Sequence, residues 1–283
     1  MRPVAHFLLA AVALVLAGAA AIVATATGAA VALVAALPHI ADLVPFETAR
    51  VVVTDGRRNV EMVGMVHVAA PRFYGDVAEI VTARREAGWL VLYEEVKPDM
   101  EDAGAGMARV LESVGTTWEP ARRQHPYELI APILGEDLVL QDNGALLGKP
   151  GPSVRNVDLT LSQVVAALPS PASGLGDRPA LSLDDVRRMF DDMPAWVQRR
   201  IRAAVRIVLA TSTSGRYAAA VMPPVVMAAR EQLVAEAILG EPGRDILVIY
   251  GQAHLNGIWR QMRNEGAAWS VVSRGSLQAF KRG

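Results

Sequence analysis

Apolar residues run without a charged side chain from Phe7 to Pro38; beyond that point the chain breaks into short apolar blocks separated by turn residues. Arg50 to Val66 reads as a β-hairpin. Val51, Val52 and Val53 form one strand, Asp55-Gly56 supplies the turn, and Val60 to Val66 form the return strand. Pro71 to Ala87 carries Val77, Ile80 and Val81 at helical spacing, and Gly88 ends that helix. Leu90-Val91-Leu92-Tyr93 is a buried strand. The stretch from Glu101 to Pro179 is rich in Gly and Pro and predicts short helices and loops. Leu183 to Ala210 predicts a helix broken at Pro194, and a further helix resumes after Pro223-Pro224 to about Leu239. The chain closes with strand Asp245–Tyr250, a helix from about Leu255 to Asn264, and strand Trp269–Ser273. Strand–helix–strand at both ends with a helical middle predicts an α/β domain: a mixed, largely parallel sheet with flanking helices and a helical insertion or lid.

The leading run changes the picture at the N-terminus. A helix over all of it would span about 48 Å at 1.5 Å per residue, against roughly 30 Å of hydrocarbon. One transmembrane helix fits within residues 7–27. Ala24-Thr25-Ala26 also resembles a signal-peptide cleavage site, so residues 1–40 read as a membrane anchor or a signal segment. Arg2 precedes the run, and Asp42, Glu47 and Arg50 follow it. The positive-inside rule then leaves the N-terminus in the cytoplasm and the body outside. No low-complexity linker interrupts residues 41–283, which read as one domain.

Composition narrows the chemistry. A formal net charge of −1 offers nothing to nucleic acid, and the absence of cysteine excludes disulfides and thiolate metal sites. A metal would need His, Asp or Glu. The arginines of the 183–210 region (Arg187, Arg188, Arg199, Arg200, Arg202, Arg206) make either a solvated face or a binding surface.

Two local patterns match. Val63-Gly64-Met65-Val66-His67-Val68 and Tyr250-Gly251-Gln252-Ala253-His254-Leu255 each run from a strand through Gly-x-x-His into a helix and on to another strand. The glycine permits a sharp bend or a close approach to another backbone. The histidine then lies at the carboxyl edge of the sheet, where ligands bind in open α/β folds. A lone Gly-x-x-His is a capping or core residue more often than a ligand; two in matched settings carry more weight. Of the five histidines, His6 and His39 flank the apolar run and His125 sits in a polar loop. Strand Leu90–Tyr93 ends in Glu94-Glu95. If Val63–Val66 and Leu90–Tyr93 are parallel neighbours in one βαβ unit, Glu94 approaches His67. His67, Glu94 and His254 form an open set of metal donors that leaves room for water or substrate. The bland alternative is a solvated pair of glutamates.

These residues resemble the TraB/GumN/Tiki family over roughly residues 50–273. The matching elements are Gly64–His67, Glu94 in Leu92-Tyr93-Glu94, Arg230 in Ala229-Arg230-Glu231, and Gly251–His254 with Gly257 behind. Asn156-Val157-Asp158-Leu159 is similar to a further family element, though its Asp equally suits a helix N-cap. The resemblance implies an erythromycin-esterase/ChaN-like fold. For the Tiki branch it implies a divalent-metal-dependent protease, and for the TraB branch membrane proteins linked to peptide pheromone control. Two features depart from it: Glu231 follows the arginine where Asn is usual, and the membrane segment is N-terminal. The reading is thus a membrane-anchored metallohydrolase acting on peptides, its domain outside the cytoplasm, with His67, Glu94 and His254 holding Mn, Co or Zn. Glu95 or a metal-bound hydroxide handles the proton, and Arg230 stabilises an oxyanion or a substrate carboxylate, unless it pairs with a glutamate of its own helix. The alternative is a non-enzymatic regulatory protein that binds a peptide or an iron/haem ligand in the same cleft.

Overall fold

The computed structural model describes residues 35–41, 46–113, 126–135, 137–149, 151–168, 182–212, 224–265 and 268–280. The membrane span expected within residues 7–27, the cleavage-like Ala24-Thr25-Ala26, His6 and His125 lie outside them. Residues 35–41 are helical. Among the described residues no helix is long and apolar enough to cross a membrane.

The hairpin forms as β1 (Glu47–Thr54) and β2 (Asn59–Met65), antiparallel, with Val53 opposite Val60. Its turn is held by the Asp55 side chain, which accepts from the backbone N–H groups of Arg57 and Arg58. Burial pushes the Asp55 carboxyl up, but these bonds and the Arg58 guanidinium outweigh it and hold it below the usual range. Gly56 takes φ 84, a conformation that side chains resist. After a short β3 (Val68–Ala69), α1 (Pro71–Glu86) starts on Pro71 and stops at Gly88, φ 82, before β4 (Leu90–Tyr93).

The Gly/Pro-rich stretch contains α2 (Ala103–Ser113), α3 (Pro126–Leu134), β5 (Val139–Leu140), α4 (Asn143–Leu147), β6 (Val154–Asn156) and α5 (Leu161–Ala167). A capping box opens α5: Thr160 accepts from the N–H of Gln163, and the Gln163 side chain accepts from that of Thr160. Thr160→Ala is expected to lower stability by about 1 kcal/mol, read as a shift of the urea midpoint. The Arg-rich region is α6 (Leu183–Asp191) and α7 (Ala195–Ser212), broken at Pro194 as the sequence predicts. Arg187 and Arg188 pair with Asp191 and Asp185 on their own helix, while Arg202 and Arg206 donate to the carbonyls of Pro132 and Leu134. Those four arginines are engaged within the protein, two of them docking α7 on α3. Then come α8 (Pro224–Leu239), β7 (Ile246–Gly251), a 3₁₀ turn (Gln252–His254), α9 (Leu255–Asn264) and β8 (Ser270–Gln278).

The main sheet is ordered β6-β4-β7-β2-β1-β8, and β3 pairs separately with β5. Its first four strands are mutually parallel; β1 and β8 join antiparallel. One expectation is corrected here: β2 and β4 are not neighbours, because β7 lies between them. The reason is burial. Ile246 to Tyr250 is apolar on both faces and at most 1% exposed, so it takes the sheet's centre. Leu247 and Ile249 pack with Phe73, Val77 and Val81 of α1. Ile246, Val248 and Tyr250 pack on the other side with Val234 and Ile238 of α8 and Ile258 and Met262 of α9. The fold is an α/β layer structure with helices on both faces.

Candidate active site at the carboxyl edge of four parallel strands

Parallel strands bring their carboxyl ends to one edge. Here four adjacent strands each deliver a polar residue just beyond that end: Asp158 after β6, Glu94 after β4, His254 after β7 and His67 after β2. Arg230, from α8, closes the group. Its Nε donates to Asp158 Oδ1 at 2.8 Å and its Nη2 to Asp158 Oδ2 at 2.6 Å, a two-pronged pair. The same Nη2 lies 2.6 Å from Glu94 Oε1. The Tyr250 hydroxyl donates to Asp158 Oδ1 at 3.3 Å. Arg230 therefore pairs with neither glutamate of its own helix, and Asp158 caps no helix, since Thr160 caps α5.

Glu94 is gripped from both sides. Its Oε2 accepts from the backbone N–H of Gly251. A methyl at position 251 would lie 2.9 Å from that oxygen, so Gly251 is the gap into which Glu94 fits. The first Gly-x-x-His works alike: a methyl on Gly64 would overlap the Gln252 amide, whose oxygen accepts from the N–H of Ala49 at 2.7 Å. Burial pushes the Glu94 carboxyl up. Arg230, the two imidazoles of His254 and His67 when protonated, and the Gly251 N–H more than offset that, and hold it below the usual carboxylate range. Burial lowers the Arg230 pKa, but Glu94 and Asp158 raise it further still. The site thus holds an ionised carboxylate and a fixed cation side by side at neutral pH.

The histidines differ. His254 is 4% exposed, its ring set edge-on to Tyr250 at 5.2 Å, and its Nδ1 is sealed from solvent without a hydrogen-bond partner. His67 is exposed and stacks on the Tyr127 ring of α3, with centroids 4.7 Å apart. Burial, and then the Glu94 charge, pushes the Tyr127 hydroxyl up to about 12. Glu95 stands apart from this network. It is exposed, its carboxylate accepts from Asn143 at 3.2 Å, and its carbonyl accepts from Asn156 at 2.9 Å.

Among the described residues no three His, Asp or Glu side chains already stand as a ready ligand cluster. The donors still fit a divalent ion in kind. Two imidazoles and an ionised carboxylate share the edge, and each Glu94 oxygen accepts one hydrogen bond, leaving acceptor capacity. Sequence reasoning missed Tyr127 and Tyr250 and gave Asp158 no definite role. Asp158 follows a three-residue strand in a Gly/Pro-rich stretch, too short for periodicity to register. Comparison with protein-family models, curated proteins and solved structures found no match.

Proposed function

We propose that the chain is a membrane-anchored, divalent-metal-dependent hydrolase of the TraB/GumN/Tiki type, acting on peptides outside the cytoplasm. The observation that carries this reading is the convergence of Asp158, Glu94, His254 and His67 from four adjacent strands, with Arg230 fixed among them. His67, Glu94 and His254 would hold the ion, which when bound polarises a carbonyl and lowers the pKa of a water. Arg230 has Nε and Nη2 committed to Asp158 and Glu94, which leaves Nη1 for a substrate oxygen. Because both carboxylates hold the guanidinium rigid, it needs no reorganisation as charge develops. Tyr127, stacked on His67, steadies that imidazole. Glu95, exposed at the strand end, can exchange protons between the cleft and water. On this reading the helical segment between β6 and β7 is the expected insertion, and residues 1–40 are the anchor.

The test is peptide cleavage by the full-length protein in detergent, stripped of metal and then reloaded with Mn, Co or Zn. Expected are metal-dependent products, and a loss of at least 100-fold in His67→Ala and His254→Ala, of the order that catalytic groups contribute. If the wild type takes up no metal and cleaves nothing, the reading is wrong. The engagement of both Glu94 oxygens favours a second reading, a peptide- or iron/haem-binding regulatory protein. Tight binding without turnover would identify it.

A further inference from the structure

Glu231 has no part in the reading above, yet it is only 8% exposed and faces inward from α8. Its carboxylate occupies the space beside Gly257 that a methyl there would fill. From that seat Oε1 stands 3.7 Å from His254 Nδ1, the ring nitrogen that is buried without a hydrogen-bond partner. Oε2 lies 4.0 Å from the Arg260 guanidinium, which is mostly in solvent. Closing the 3.7 Å gap to an ordinary hydrogen bond needs a movement of about 0.8 Å. A carboxylate only accepts, so the contact requires the proton on Nδ1. The other edge of the ring is turned the opposite way. Cδ2, bonded to Nε2, lies 3.5 Å from the position of a methyl on Gly251, and Glu94 Oε2 lies 2.9 Å from that same point.

We propose that Glu231 is a positioning residue for His254: it accepts the Nδ1 proton and so fixes the tautomer that presents the Nε2 lone pair to the Glu94 side of the cleft. The orientation stands on geometry alone; only its use, to aim a metal ligand, rests on the hydrolase reading. Ligating histidines generally donate their second ring N–H to such an outer carboxylate, and losing it weakens metal binding about 10–100-fold.

The experiment is nitrogen NMR on the metal-free full-length chain in detergent, labelled at the histidine rings, with the His254 signal identified by its loss in His254→Gln. In the wild type His254 is expected as the Nδ1–H tautomer, with Nε2 unprotonated. Glu231→Gln keeps the shape but can donate as well as accept, and is expected to give a mixture of tautomers. Gly257→Ala leaves Glu231 in the chain while displacing its carboxylate, and is expected to give the same mixture. Zinc titration should show about 10–100-fold weaker binding in both variants. An Nε2–H tautomer in the wild type, or a signature unchanged in both variants, overturns the proposal. A wild type that binds no zinc removes the metal reading instead, and the tautomer arm still decides the role of Glu231.

Discussion

Arg230→Met is expected to lower stability by about 3–5 kcal/mol, because it leaves two buried carboxylates facing each other without their cation. The Arg230 and Glu94 side chains are 8% and 10% exposed, and that of Asp158 is fully buried. Water cannot take over their solvation. The Arg72–Asp76 pair on α1 makes the contrast, at 3.9 Å and with side chains 82% and 43% exposed. Such a pair is worth about 0–1 kcal/mol, so Arg72→Met should change stability little. Urea unfolding of the full chain in detergent measures both. A loss at Arg230 no larger than that at Arg72 would show that the network is not held as described. The pH dependence follows with a definite sign. Glu94 has its folded-state pKa depressed, so its contribution is present above the unfolded value of about 4.3 and is lost as pH falls through the folded value. Arg230 is the largest favourable cause of that depression. Removing it raises the folded pKa, and acid unfolding should begin at higher pH.

The elements legible in the sequence were those whose apolar pattern met a clear stop. The helix from Pro71 ends at Gly88, strand Leu90–Tyr93 has a glycine before it and two carboxylates after it, and the helix Leu255–Asn264 follows the second histidine turn. Strand order was less legible. Adjacency in sequence suggested β2 beside β4, but the strand with the most two-sided burial, β7, took the place between them. The last strand runs to Gln278, beyond the expected Ser273, because an edge strand exposed along nearly its whole length carries no alternation to read. At the site, His67, Glu94 and His254 were visible because each closes a strand. The partners of Arg230 were not, since Asp158 and Glu94 are 72 and 136 residues away along the chain. Glu231 was visible only as a departure from the pattern the chain resembles. Its purpose emerges when α8 and α9 pack and place it beside His254.

Gly251→Ala should damage both stability and the site, whereas Gly64→Ala and Gly275→Ala should do progressively less. Gly251 has φ −49, so no unusual backbone angle demands glycine; what demands it is room. An added methyl lies 2.9 Å from Glu94 Oε2 and 3.7 Å from its Cδ. Glu94 cannot swing aside, because Oε1 is bonded to Arg230 and the Gly251 N–H holds Oε2. Overpacking of that kind costs about 1–3 kcal/mol, and any relief comes by displacing the carboxylate the cleft is built on. At Gly64 the main obstruction is the free end of Gln252, which can leave by giving up its bond to Ala49, a loss of about 1 kcal/mol, while Leu255 Cδ1 at 3.2 Å has only to give slightly. At Gly275 a methyl meets open space, so the change should stay within about 0.5 kcal/mol. Urea midpoints of the three variants give the ranking, and the metal affinity of Gly251→Ala shows whether Glu94 has moved. Equal losses at 251 and 275 would mean that the second Gly-x-x-His uses its glycine for something other than space. The expected ranking would mean that its glycine and its histidine serve the same carboxylate.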